Sequence, residues 1–305
     1  MTASTPTVAV YGSVNWDEIC RLPRYPEAHE KIDALAIHSA LGGSAANTAT
    51  WLAAHLADVQ LIGAVGDDAE GRLCLAWLRD AHVAHGCVEV IAGQRTSRAC
   101  SWVVGADKRI VTYRERGLRR AHASEAALTT VAAAGHLHLG STIDAAGREC
   151  LRAAIGAGAS VSLELSGKTH DDLRPHADLV FLNTQELHAN FGIAAGALGP
   201  ERPGAQRLDA DAVATVAPKR GATLVITNGH SSIICATREA TRSFAVAPLS
   251  EVVDRTGGGD AFDAGFIAGW LAHGRELERA VATGLHCSRQ ALQQVGGARR
   301  PTASA

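Results

Sequence analysis

Apolar residues in this chain gather into short runs at 8–11, 59–65, 136–140, 161–165, 179–182 and 224–227, which read as buried strands. Between them, alanine-rich segments at 45–56, 73–78, 145–155 and 210–217 carry helical periodicity. Alternation of this kind predicts a largely parallel sheet with helices on both faces. Ligands of such sheets bind beyond the carboxyl ends of the strands. Two stretches break the rhythm, 30–40 and 87–115. Both have the character of short strands, and 101–104 and 109–113 are expected to face each other across a 105–108 hairpin loop. Residues 192–208, with four glycines and two prolines, predict a surface loop, and 298–305 a loose tail. No solenoid-type repeat is present.

Composition narrows the function classes. The 305 residues are 47% hydrophobic and 20% charged, enough for one large α/β core with an appendage or for two domains. A net charge of -2 leaves no electrostatic footprint for nucleic acid or an anionic membrane surface. Seven cysteines, odd in number and without C-x-x-C spacing, suggest reduced thiols. The N-terminus shows no basic and apolar leader, and no apolar run approaches the ~18 residues of a membrane span, so a cytoplasmic protein is expected.

The chemistry is concentrated at residues 254–266, where Asp254, Thr256, the glycines 257, 258 and 259, and Asp260 run into an apolar helix-like segment. Gly257, Gly258 and Gly259 let the backbone approach a ligand and turn into a helix, whose free N–H groups and positive end make a cradle for an anion. Asp260 would repel that anion but would serve as base toward an attacking hydroxyl. The same residues could simply start a helix, with Asp260 as its cap. A second glycine-led segment, Leu41-Gly42-Gly43-Ser44-Ala45-Ala46-Asn47, followed by Gly66-Asp67-Asp68, tips the balance.

Together these segments resemble the two signatures of the ribokinase-like (PfkB-type) carbohydrate kinase family. Asn15-Trp16-Asp17 resembles its substrate pair, Asn183-Thr184-Gln185-Glu186 its Asn-x-x-Glu element and Thr227-Asn228-Gly229 its nucleotide turn. The five elements stand in the family's order and span nearly the whole chain. The resemblance implies a ribokinase-like three-layer α/β/α sandwich with a mainly parallel central sheet. It implies a single kinase domain over residues 1–305, with a small β lid from about 20–41 and 87–115, hinged near Gly42-Gly43 and Arg116-Gly117. The implied activity is ATP-dependent phosphorylation of a hydroxyl on a small sugar or sugar-like acceptor.

In that reading Asp260 is the base, and the amides of Gly257, Gly258 and Gly259 hold the transferring phosphoryl group. Asn183 and Glu186 hold Mg²⁺ through water, although the same four residues also spell a capping box. Asn15, Asp17, Gly43 and Asn47 bind the acceptor: a carboxylate takes paired hydroxyls, and each amide both donates and accepts. Thr227, Gly229 and His286 line the nucleotide pocket. Asp254 and Thr256 match positions near a monovalent-cation site, which would allow potassium activation, and the lid would allow a homodimer.

Two departures from ribokinases proper argue against ribose. Ser44 stands where they carry Lys, and 136–141 lacks their sugar-binding Glu. A nucleoside kinase of the adenosine, inosine or pseudouridine type shares these motifs, with Trp16 or Trp102 available to stack on a base. A non-catalytic sugar- or nucleotide-binding protein of the same fold is the third reading, against which the presence of Asp260 argues. His136 and His138 share one strand face, where a buried role outweighs metal binding.

Overall fold

The computed structural model describes residues 6–105, 107–193 and 210–301. In chain order the first half holds β1 (Val8–Tyr11), β2 (Asn15–Arg21), β3 (Ala36–Gly42), α1 (Ser44–Leu52), β4 (Val59–Gly66), α2 (Ala69–Asp80), β5 (Ala84–Ile91), β6 (Ser97–Val104) and β7 (Asp107–Tyr113). After α3 (Glu125–Ala133) come β8 (His136–Leu139), α4 (Ala145–Gly156), β9 (Ser160–Glu164), β10 (Leu179–Asn183), α5 (Thr184–Phe191) and α6 (Ala210–Val216). The chain closes with β11 (Thr223–Asn228), β12 (Ser232–Ala236), β13 (Thr241–Ala245), α7 (Gly258–Ala272) and α8 (Leu277–Ala291).

Nine strands form the large sheet, in the order β13-β12-β11-β10-β9-β8-β1-β4-β5. From β5 to β11 all neighbours are parallel, and β12 and β13 complete it antiparallel. Burial on both faces explains the near-continuous apolar strands. Leu179 and Phe181 of β10 point into the layer holding α1, α7 and α8, while Val180 and Leu182 point into the opposite layer, with α3 and α4. His136 spends both ring nitrogens on Ser160 and Ser162 of the neighbouring strand at 2.8 Å, His138 its Nδ1 on Ser162 at 2.9 Å, and burial drives both imidazoles down to about 3. They are neutral core residues.

A second sheet, in the order β3-β2-β6-β7, covers one edge of this body. Its boundaries correct the expected lid. The small sheet begins at Asn15 and not near residue 20, so Asn15 and Asp17, which follow β1, are themselves residues of the small sheet. Cys87 and Val88 leave the lid, because β5 pairs with β4 and buries one of them in each core layer, as only a strand of the large sheet can. The hairpin turn is tighter than expected, since Val104 already pairs with Asp107.

The first part of the expected loose tail is also corrected. Ala298 is buried, Trp51 and Trp77 donate their indole N–H groups to the carbonyls of Gly297 and Arg299, and the Arg299 amide donates to Thr50. Residues 302–305 lie outside the described residues, as do 194–209, which take in most of the expected 192–208 loop.

Candidate active site

Helix α7 places the central group. Its cap, Gly257, has φ 71°, and a Cβ there would stand 2.3 Å from the Cα of Gly297, so this turn needs glycine. The first intrahelical bond runs from the Ala261 amide to the Gly257 carbonyl, which leaves the N–H groups before it to an anion. Asp260 follows in the first turn, and its Oδ2 accepts a 2.6 Å hydrogen bond from Nδ2 of Asn47 on α1. Two residues 213 positions apart thus meet at one carboxylate. The Asn47 Oδ1 is buried and has no partner, so it can accept from a ligand hydroxyl.

The Asp260 carboxyl is pushed above the ordinary carboxylate range by burial first and by the charge of Glu164 second, and the Asn47 bond opposes the shift. Glu164 is itself raised by burial, against hydrogen bonds from Ser166 and Ser44, with Glu186 adding to it. Asp263, one turn along α7, is raised by burial and by the same carboxylates. Glu164 thus joins the site, where the expected carboxylates were Asp17, Glu186, Asp254 and Asp260. Its signal in the sequence was a single carboxylate at the end of a buried strand whose other residues are uncharged. Ser44, whose Oγ contacts Ser141 at 2.9 Å, links it to the acceptor wall.

Such crowding suits a hard divalent cation. The donors are all oxygen, the carboxylates raise one another's proton affinity, and the Glu164 Oε2 is buried without a partner. Asn183 and Glu186 form a full capping box on α5: Asn183 Oδ1 accepts from the Glu186 amide and Glu186 Oε2 from the Asn183 amide, both at 2.9 Å. Those two oxygens are committed to the helix start, which fits contact with a metal through its hydration water rather than directly.

Behind the glycine turn lies a cavity of about 470 Å³ lined by Thr227, Gly229, Gly258, Gly259, Val246, Leu285, Ser288 and Leu292. It is mostly apolar and opens on the α7 N-terminus, the shape for a base with phosphates at its mouth. His286 is not part of it. Helix α8 turns Leu285, Ser288, Arg289 and Leu292 inward, and His286, about 100° round from Leu285, is exposed near His55.

At the acceptor end Asp17 is buried, with Oδ1 unpartnered and Oδ2 2.1 Å from where a Cβ at residue 42 would lie, so only Gly42 leaves room for it. Burial pushes its carboxyl up to about 6, against the opposing charge of Lys108. Lys108, at the start of β7, reaches from the small sheet to donate to the Thr256 hydroxyl, and it feels Asp254, Asp17 and Asp260. The expected list lacked it. Asp254 is held by its neighbours: Oδ1 accepts from the Thr256 amide and hydroxyl, and Oδ2 from the Gly296 amide at 3.0 Å. Asn15, Ser44 and Ser141 border a further cavity of about 530 Å³ under the small sheet. Trp16 packs edge-on against Trp77.

A family model described as "pfkB family carbohydrate kinase" matches residues 5–303. An ATP-dependent ribose-1-phosphate kinase from Halopiger xanaduensis is 31% identical over 302 residues, covering 96% of this chain and 94% of that protein. An adenosine kinase from Schizophyllum commune is 26% identical over 280 residues, 84% and 80% of the two chains. Among solved structures, Arabidopsis thaliana ribokinase complexed with ribose and ATP superposes with a TM-score of 0.81 at 23% identity, over 96% of this chain and 94% of that one. Adenosine kinase from Sinorhizobium meliloti gives 0.79 at 21%, over 97% and 96%. At these identities the structural likeness is one of fold.

Proposed function

The chain belongs to the pfkB family of carbohydrate kinases, and from that premise we propose that it transfers the γ-phosphoryl group of ATP to a hydroxyl of a small sugar acceptor, with Asp260 as general base. The observation that carries this is the Asp260 carboxylate, set in the first turn of α7 beside free helix-terminal amides and oriented by Asn47. The acceptor O–H gives its proton to Asp260 as the new O–P bond forms and the bond to the β-phosphate oxygen breaks, releasing ADP. Amides at Gly257, Gly258 and Gly259 neutralise charge on the transferring group. Raised proton affinity makes Asp260 a stronger base. Magnesium, when bound near Glu164, Asn183 and Glu186, supplies positive charge to the phosphates.

Asn15, Asp17, Gly43 and Asn47 hold the acceptor, and Thr227 and Gly229 border the adenine. A sugar is favoured over a nucleoside because, among the described residues, Tyr11 is the one aromatic side chain lining the cavity that Asn15 borders; its hydroxyl is bound to Asp144 and its face to Arg120. A base would find no stacking platform there. A homodimer through the small sheet is supported by the exposed apolar side chains of Ile37, Ile110 and Val111. A potassium site at Asp254 and Thr256 shares its place with the Lys108 ammonium. Cytoplasmic location agrees with seven free cysteines, and among the described residues no helix is long and apolar enough to cross a membrane.

The Asp260→Asn variant tests the reading. It keeps the shape of the turn, so ATP should bind with near-normal affinity while kcat falls at least ~10²-fold. Wild-type kcat in this variant would remove Asp260 as the base.

A further inference from the structure

Among the described residues, three metal-ligating side chains converge away from the catalytic end, on the small sheet. Strand β2 pairs with β6 in parallel, which sets Glu18 opposite Cys100 and Cys20 opposite Trp102. Side chains alternate along a strand, so Glu18, Cys20 and Cys100 share one face while Asp17 and Ile19 take the other. That other face looks inward, because Asp17 feels Lys108 and its charge reaches Asp260. On the outer face the two sulfur atoms and a Glu18 carboxylate oxygen all lie within 4.8 Å of one another. Cys20 is buried between its register partners Ile37 and Trp102, Cys100 is half-buried and Glu18 is exposed, so an ion can enter from the solvent side.

The cations of this face are committed elsewhere. Arg98 pairs with Glu70, and the Arg109 guanidinium lies on the Tyr25 ring. Glu18 makes no ion pair among the described residues, and its Oε1 receives the Cys20 thiol at 3.9 Å. Burial raises the Cys20 thiol first, and the charges of Cys100 and Glu18 raise it further, so without a cation it keeps its proton. A bound cation reverses that balance.

A disulfide does not fit the same pair. Cys20 and Cys100 are two register positions apart. With strands about 4.8 Å apart and about 3.3 Å per residue, their Cα atoms stand roughly 8 Å from one another, past the ~7 Å that a bridge spans. A tetrahedral zinc ion, with about 2.3 Å to sulfur and about 2.1 Å to oxygen, sets its ligands roughly 3.6–3.8 Å apart. Side-chain movement of ~1 Å therefore closes the cluster around it. Two thiolates with one carboxylate also select zinc over the hard cations magnesium and calcium.

We propose that Glu18, Cys20 and Cys100 form a zinc site on the outer face of the small sheet, with water as the fourth ligand in the single chain, and that the ion clips β2 to β6. Each thiol loses its proton as its Zn–S bond forms, so one bound ion releases two protons and binding tightens as pH rises. Asp17 directly precedes Glu18, so the clip steadies the strand that carries the acceptor carboxylate.

Cobalt(II) titration of the reduced, chelator-treated protein tests this. Thiolate ligands give cobalt a charge-transfer band in the near ultraviolet, which the oxygen donors at the Asp260 end do not. The wild type should develop that band up to one equivalent, lose it when zinc is added, and bind more tightly at pH 8 than at pH 6. Cys100→Ser and Glu18→Gln, at positions less buried than Cys20, should each weaken cobalt binding at least ~10-fold, and Cys100→Ser should also lose about half of the band intensity. Zinc should raise the Tm of the wild type and leave that of both variants nearly unmoved. No thiolate band in the wild type overturns the proposal, and so does a band that either substitution leaves unaltered. Kinase turnover is not the readout, so failure here leaves the role of Asp260 untouched.

Discussion

Replacing Asp17 by Asn should make the free protein more stable and the enzyme worse. The carboxyl of Asp17 is buried, one oxygen has no partner, and burial lifts it from its ordinary 3.8 to about 6. At ~1.4 kcal/mol for each tenfold change in a protonation equilibrium, keeping it ionised at neutral pH costs the fold about 3 kcal/mol. Lys108 loses one attracting neighbour in the variant, which takes back part of the gain, so a net ~1–2 kcal/mol is expected. For a chain of this size that is a rise in Tm of roughly 2–6 °C. The pH dependence has a definite sign. Because the folded protein binds this proton more tightly than the unfolded chain, wild-type stability falls as pH rises from about 4 to just above 6. The variant lacks that decline, so the difference should vanish near pH 4 and be complete by pH 7. Thermal unfolding of the ligand-free proteins between pH 4 and 8 measures it. On the catalytic side, KM for the acceptor should rise ~10²-fold or more, with KM for ATP within a few-fold, because charge-assisted hydrogen bonds to the acceptor are lost. A variant less stable than wild type at pH 7.5 would make Asp17 a structural partner of Lys108. An unchanged acceptor KM would remove it from the site.

If the small sheet closes on the acceptor, amide hydrogen exchange over 97–113 should slow when acceptor is added and much less with ATP alone; equal protection in both states would make it part of the rigid body. Ser288→Trp, which fills the cavity proposed for adenine, should raise KM for ATP at least ~10-fold, whereas His286→Ala should leave it within twofold; the reverse pattern in steady-state kinetics would relocate the nucleotide. Gly257→Ala forces a side chain into left-handed backbone against Gly297, so calorimetry should find it destabilised by at least ~2 kcal/mol. An unaltered Tm and kcat there would mean that the anion turn has room to move.

Alternation of apolar and polar positions carried the architecture, because strand burial on two faces and helical periodicity are written locally, residue by residue. The strands at 8–11, 179–182 and 224–227 and the helix behind Asp260 were legible for that reason. So was the capping box of Asn183 and Glu186, which needs only a spacing of three. What spacing could not reach was decided by packing across long sequence separations. Glu164 enters the site because β9 lies between β8 and β10 and ends at the level of α7. Lys108 enters because β7 is the outermost strand of a sheet that leans over the glycine turn. Asn15 and Asp17 moved from the main body to the small sheet because β2 pairs with β3 and β6. His286 stays outside the cavity behind the glycine turn because α8 docks on α7 through another of its faces. A sequence determines which residues can do chemistry; which of them share a cavity, and how strongly their charges disturb one another, is settled by the tertiary fold that withdraws them from water.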